Sequence, residues 1–349
     1  MAYTDIDKPS DYFNTITYTG DGNTRSLTGV GFQPDWVWVK ERNGTNSHNL
    51  WDIVRGATKG IFSDQTTAEL TNAASGYLTS FDSDGFSVQA GAGSIDNLNR
   101  SSGTYVAWNW YTGATASSNT DGSITSSVSV STDAGFSIVS YTGTGSAATI
   151  GTGLNAVPKI VITRNRDSAT NWCVYSSEVG NTKALFLNLN NAPDTSTQYW
   201  NDTTPTSSVF SVGTNTGTNK SGDGFVAYCF AEKQGYSKFG SYTGNGNTDG
   251  TFVYLGFRPA WVMRKVATGG TGGWAIYDNK REPENVMDKE LFADTSSAEG
   301  SFTQMDFLSN GFKFRTSNSA GNGSGQTYIY MAFAESPFVN SAGVPNNAR

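Results

Sequence analysis

One sentence of sequence occurs three times in this chain, and that repetition constrains the fold more than any other feature. "YTGDGNTRSLTGVGFQPDWVWVK" starts at Tyr18, "YTGTGSAATIGTGLNAVPKIVITR" at Tyr141 and "YTGNGNTDGTFVYLGFRPAWVMRK" at Tyr242. Other anchors keep step with it. Pro34, Pro158 and Pro259 are spaced by 124 and 101, and Trp51, Tyr175 and Tyr277 by 124 and 102. "SFDSDGF" ending at Phe86 and "DFLSNGF" ending at Phe312 differ by 226, as do Asp52/Arg55 and Asp278/Arg281. The closing segments "TYVAWNW" (104–110), "GFVAYCFAE" (224–232) and "TYIYMAFAE" (327–335) also correspond. Matching offsets across separate motifs mean a repeated unit of about 100 residues. The boundaries follow: an N-terminal arm 1–10, a first repeat 11–112, a Ser/Thr-rich connector 113–133, a second repeat 134–233, a third 234–337 and a C-terminal arm 338–349. The connector has room for an edge strand. The joint between the second and third repeats is short and fixes them closely. The polar arms are expected to order against a partner.

Within each repeat the elements are short. "WVWVK" sets Trp36 and Trp38 on one face and Val37 and Val39 on the other, and "TYVAWNW" alternates in the same way. Period two with apolar residues on both faces reads as central strands. Gly-rich and Asx-rich turns such as "GDGN", "NGTN", "DSDG" and "GAGS" punctuate them. Pro34 and its counterparts stand at strand starts, where a missing N–H costs little. Only "DQTTAEL" (64–70) allows a helical turn. The expectation is an all-β chain of three tandem β-sandwich repeats, jelly-roll-like, with the aromatic strand faces buried inside each sandwich.

Composition excludes several functions. The formal net charge is −7, and Lys and Arg form no run, so no nucleic-acid footprint is present. The apolar runs are too short for a membrane span, and the N-terminus has no secretory pattern. Cys173 and Cys229 make no disulfide framework and read as small core residues in a reducing compartment, with a bridge as the alternative.

Chemistry-bearing residues are few. His48 is the single histidine and lies in a loop without a nucleophile elbow, so it is read as a turn residue. Glu232 and Glu335 end equivalent strands, one per repeat, and read as solvent-facing charges rather than a glycosidase pair. "DSDG" lacks a calcium ligand set, since its counterpart is "LSNG". The glycine loops lack the strand–loop–helix context of a phosphate site. No catalytic residue, cofactor or metal site is assigned. Asp52 with Arg55, and Asp278 with Arg281, are expected to be structural ion pairs. Trp51, Trp172, Tyr175, Trp274 and Tyr277 are the ligand-binding candidates, because aromatic rings stack on sugars, with core packing as the competing reading. His48 shares the position of Trp172 and Trp274.

The combination of "YTGDGNTRSLTGVGFQPDWVWVK", "SFDSDGF", "TYVAWNW", "GFVAYCFAEKQGYSKFGSYTGNG" and "TYIYMAFAESPF" resembles a repeat family in virion proteins of marine tailed phages such as cyanophages. The resemblance runs from residue 1 to about 338. It implies a non-enzymatic structural virion component, a fibre, tail or capsid-surface protein, assembled in the host cytoplasm. Implied partners are other virion proteins, further copies of the chain (a homo-trimer foremost), and host surface glycan. A glycan-binding adhesion module and a polysaccharide-degrading enzyme are the alternatives. The family supplies no catalytic or ligand set. The middle repeat departs from its siblings: Ser176 stands where they have Asp52 and Asp278.

Overall fold

The computed structural model describes residues 4–92 and 97–346. Residues 1–3 and 347–349 of the expected arms, and part of the "GAGS" turn, lie outside the described residues. The protein is predominantly antiparallel β-sheet, with two four-residue α-helices (Thr197–Trp200 and Thr216–Asn219) and a 3-10 turn at Pro9–Asp11 among the described residues. "DQTTAEL" forms no helix; it leads into the short strand Leu70–Thr71, which pairs with Lys59–Gly60.

The same strand order recurs three times. In the first segment Phe13–Thr19 pairs with Thr104–Trp110, which pairs with Trp36–Glu41, then Asn49–Asp52. In the second, Phe136–Thr142, Gly224–Phe230, Ile160–Asn165 and Cys173–Ser176 follow in that order. In the third the order is Ser237–Thr243, Thr327–Pro337, Phe257–Thr268 and Ala275–Asp278. A second layer lies against the first of these sheets: Arg25–Thr28, Gly85–Gln89 and Tyr77–Asp82. Leu27, Leu78, Phe86 and Val88 from it meet Val37, Val39, Tyr105 and Ala107 in one apolar cluster. In the third segment the layers join, and its eight strands nearly close into a barrel running from Ser237–Thr243 round to Phe252–Tyr254. Pro34 and Pro158 precede their strands, whereas Pro259 lies inside one, at a break in its register with the Thr327 strand. A bulge tolerates a residue that cannot donate to the ladder.

The repeated "YTG" has a steric cause. Tyr18, Tyr141 and Tyr242 stack on Tyr105, Phe225 and Tyr328 at 4.9, 5.1 and 4.8 Å between ring centroids. Their hydroxyls donate to the carbonyls of Leu98, Thr218 and Gly321. The glycine two residues on has no room for a Cβ. At Gly20, Gly143 and Gly244 it would lie 2.2, 2.2 and 2.3 Å from the carbonyl oxygens of Arg100, Lys220 and Gly323. A fully buried asparagine then holds each loop: Asn99, Asn219 and Asn322 accept from the backbone N–H of Asp21, Thr144 and Asn245.

The other face of the main sheets makes a core that the three segments share. Trp36, Trp38, Trp108 and Trp110 pack there with Phe136, Tyr228 and Phe230 of the second segment and Trp261, Met331 and Phe333 of the third. This corrects the expectation that the aromatic faces are buried inside each segment. The smaller Val37, Val39 and Ala107 face inward, and the large rings meet between segments. The reason is volume: a junction of three sheet faces has more space to fill than the gap between two layers, and close packing is what apolar burial requires. The arms also dock on their own chain. Ile6 enters the shared core, Thr4 Oγ1 donates to the Gln234 carbonyl at 2.9 Å, and Ser341 N donates to Asp7 Oδ1 at 2.7 Å.

Candidate functional site

The connector forms two strands, Ser117–Asn119 and Ser126–Ser131, and the second pairs with Phe136–Thr142. The groups capable of chemistry gather where one segment meets the next, and these junctions run in one cyclic direction. Trp172 Nε1 of the second segment donates to the Phe62 carbonyl of the first at 2.8 Å. Trp274 Nε1 of the third donates to the Phe186 carbonyl of the second at 2.7 Å. His48 of the first occupies the corresponding place against the Phe292 backbone of the third, although its Nε2 lies outside ordinary hydrogen-bond geometry. The ring therefore closes: second on first, third on second, first on third.

Two of the three junctions carry a buried ionic set. Tyr228 OH donates to Asp52 Oδ2 at 2.8 Å, and Asp52 is ion-paired with Arg55, both side chains fully buried. Arg55 also meets Glu69, which accepts two bonds from Arg166 of the second segment at 2.9 Å each. At the closing junction Trp108 Nε1 donates to Asp278 Oδ2 at 2.9 Å, and Asp278 pairs with Arg281 at 2.5 Å. Arg281 meets Glu299, which accepts from Arg42 Nε and Nη2 at 3.0 and 2.8 Å. Burial alone would lower the Arg55 and Arg281 pKa values. Burial is the largest single influence, but Asp52 with Tyr228 and Glu69, and Asp278 with Glu299, together outweigh it and raise both. The remaining junction lacks such a set: Ser176, Val179 and Met331 stand where Asp52, Arg55 and Tyr228 stand, and Val179 and Met331 belong to the shared core. The charge that crosses there is the Lys265 ammonium on the Asn190 and Asn191 carbonyls.

The ligand-binding candidates Trp51, Trp172, Tyr175, Trp274 and Tyr277 are all buried, so none presents a ring face on which a sugar could stack. The cause lies in the fold: each stands on, or leads into, a strand covered on both faces, Trp51 on the last strand of its sheet and the others at interior strands. His48, read as a turn residue, is fully buried, and its Nδ1 accepts from Trp38 Nε1 at 2.9 Å. Burial, with the charge of Lys40, holds its pKa well below the usual value. Burial also pulls Lys40 and Lys265 down to about 8, yet both ammonium groups are spent on backbone carbonyls, those of Glu41 and Gly44, and of Asn190 and Asn191. Cys173 and Cys229 are free, buried thiols pushed up to about 12 by burial. Glu335 is ion-paired with Arg258, whereas Glu232 is exposed and lines a cavity of about 420 Å³ beside Ser237, Lys238 and Tyr254. The sequence reading missed Asn99, Asn219 and Asn322, although their spacing from the closing strands would have flagged them. It also missed Arg42, Arg166, Glu69 and Glu299.

Among the described residues no group of three His, Cys, Asp or Glu is placed to hold a metal ion, and no helix is long and apolar enough to cross a membrane. No curated protein and no solved structure matches the chain. The chain matches one family across residues 8–337, almost its whole length, and so it belongs to the family described as a domain of unknown function (DUF7483).

Proposed function

We propose that the chain is a non-enzymatic structural component of a tailed-phage virion. On this reading it is built as three tandem jelly-roll-like β-sandwich repeats of about 100 residues, closed on one another about a single core. The observation that carries the reading is the cyclic set of junction contacts. All nine tryptophans are buried, and the buried Asp–Arg–Glu–Arg sets are consumed in holding segments together. A chain that commits its reactive and aromatic groups to rigidity is suited to bearing load. Buried ion pairs are also screened little by the salt of seawater. The resemblance of the repeated motifs to marine phage virion proteins supplies the location. Partners are then other virion proteins and further copies of the chain. The adhesion reading loses its five aromatic candidates to burial, and the glycosidase reading loses Glu335 to Arg258.

The test is proteomics of density-gradient-purified particles from the virus encoding the chain. The structural reading expects the protein in particles at a fixed ratio to the major capsid protein. Abundance in the lysate with absence from particles would overturn it. Light scattering of the purified chain reads the homo-oligomer directly.

A further inference from the structure

The middle segment carries a strand that the third lacks. Ser126–Ser131 of the connector pairs antiparallel with Phe136–Thr142, from Ser127 opposite Ser140 to Ser131 opposite Phe136. Its Val128, together with Ile124, enters the core of that segment. Ser129 Oγ lies 2.5 Å from Thr112 Oγ1 and 2.5 Å from the Ala114 carbonyl. The added strand thus fills the corner between the second segment's first strand and the tail of the first segment.

At the next junction no strand fills the corner, although Thr4 Oγ1 of the N-terminal arm takes the Gln234 carbonyl there at 2.9 Å. Ser237–Thr243 ends its sheet, paired along its length with the Thr327 strand and, at Ser237 alone, bridged by Lys233. Thr112 and Ala114 stand two and four residues beyond Trp110, as Glu232 and Gln234 stand beyond Phe230. Glu232 and Gln234 line the cavity of about 420 Å³, with Ser237, Lys238, Tyr254 and Leu255. The Glu232 carboxylate makes no direct hydrogen bond or ion pair among the described residues, with Lys238 and Lys159 acting on it only from a distance, and Tyr254 is 55% exposed. The cavity therefore lies beside the Ser237–Thr243 edge where Ser126–Ser131 lies one segment earlier, with Thr4 taking the end of that place at the Gln234 carbonyl.

We infer that this corner is a strand-acceptor site. An extended segment of another polypeptide adds to Ser237–Thr243 as Ser126–Ser131 adds to Phe136–Thr142. The edge supplies unpaired backbone donors and acceptors, and strand addition satisfies them. The pattern of the incoming segment follows from its internal model. β-branched residues alternate with small polar ones, the former turned into the cavity. A Lys or Arg takes the place of Ser129, because Glu232 replaces Thr112 and a carboxylate calls for a cation. A second copy of this edge does not fit. Lys238 stands on it, with Nζ donating to the Tyr254 carbonyl at 2.9 Å, and edge-to-edge pairing of two copies would oppose like charges.

The test uses the full chain extended at its C-terminus, because Phe338 and Val339 already line the cavity. A flexible Gly/Ser linker of about 15 residues gives a millimolar effective concentration. It carries a copy of residues 123–132 with Ser129→Lys. The control carries the same segment with Val128→Pro and Val130→Pro, which cannot join a ladder. Hydrogen exchange is followed in 237–243. The site predicts outward-facing amides there exchanging at least tenfold more slowly than in the control, with the protection reduced when Glu232→Lys is added. Equal exchange in both fusions would overturn the site. So would protection confined to 136–142, which would mean that the fused segment had displaced the connector.

Discussion

The junction without an ionic set makes a sharp prediction about the two that have one. Asp52 is fully buried between Arg55 and Tyr228. Replacing it with Ser, the residue at the corresponding position 176, leaves the Arg55 guanidinium buried without its nearest counter-charge. Breaking such a pair from one side costs about 3–5 kcal/mol. The turn itself should survive, since Ser176 Oγ accepts from Glu178 N at 3.3 Å as Asp52 Oδ1 accepts from Val54 N at 3.1 Å. The triple variant Asp52→Ser, Arg55→Val, Tyr228→Met installs the whole apolar set. It buries no orphan charge, and Glu69 keeps both bonds from Arg166. What remains is incomplete filling of the vacated volume, worth about 1–2 kcal/mol. Melting followed by intrinsic Trp fluorescence and urea titration reads both. At roughly 2 °C per kcal/mol for a chain of this size, Asp52→Ser should melt about 6–10 °C below the parent and the triple variant about 2–4 °C below. A triple variant as unstable as Asp52→Ser would refute the matched-junction reasoning.

Three further expectations follow from buried groups. His48 has its pKa lowered by burial and Lys40, so its contribution to stability is complete above the unfolded-state value near 6.5. It is lost as pH falls below that value, by up to about 1.4 kcal/mol per pH unit; His48→Gln should remove this slope between pH 6.5 and 5, measured as urea midpoints against pH. Trp172→Phe strips the Phe62 carbonyl of its donor and leaves space, and should cost about 2–4 kcal/mol by the same titration. Cys173 and Cys229 should react with a disulfide reagent far more slowly in the native protein than in guanidinium, and rapid native labelling would contradict their burial.

The recurring strand order is legible in the sequence because local chemistry carries it. Pro34, Pro158 and Pro259 mark the strands, and the "YTG" glycines are required by a neighbouring carbonyl. Period two in "WVWVK" places Trp36 opposite in direction to Val37 correctly. It does not say which face meets the other layer and which meets the next segment, because both faces are apolar. The departure at Ser176 is visible in the sequence, but its reason is not. Met331, which stands where Tyr228 and Trp108 stand, is on a strand of another segment, and nothing local to Ser176 encodes that correspondence. The same holds for Trp51, Trp172, Tyr175, Trp274 and Tyr277. Their aromatic character at equivalent positions is legible, but whether a ring faces solvent or a neighbouring carbonyl depends on how the segments dock.

The distribution of charge among the junctions also explains how three similar segments find one arrangement. The first and third each present an acidic and basic set, Asp52–Arg55–Glu69 and Asp278–Arg281–Glu299; the second presents Ser176 and Val179 instead. On the opposing side the second offers Tyr228 with Arg166, and the first offers Trp108 with Arg42. The third offers Met331 from the shared core. In the observed ring every charged set meets a donor, and the apolar set meets methionine. Reversing the cyclic order would set Asp52–Arg55–Glu69 against Met331 and leave Arg42 facing Ser176 and Val179. Glu69 would lose the two bonds from Arg166, Arg42 would lose Glu299, and each uncompensated buried charge costs several kcal/mol. The ionic sets favour the observed order, and the third junction, which lacks such a set, is the asymmetry between the two orders.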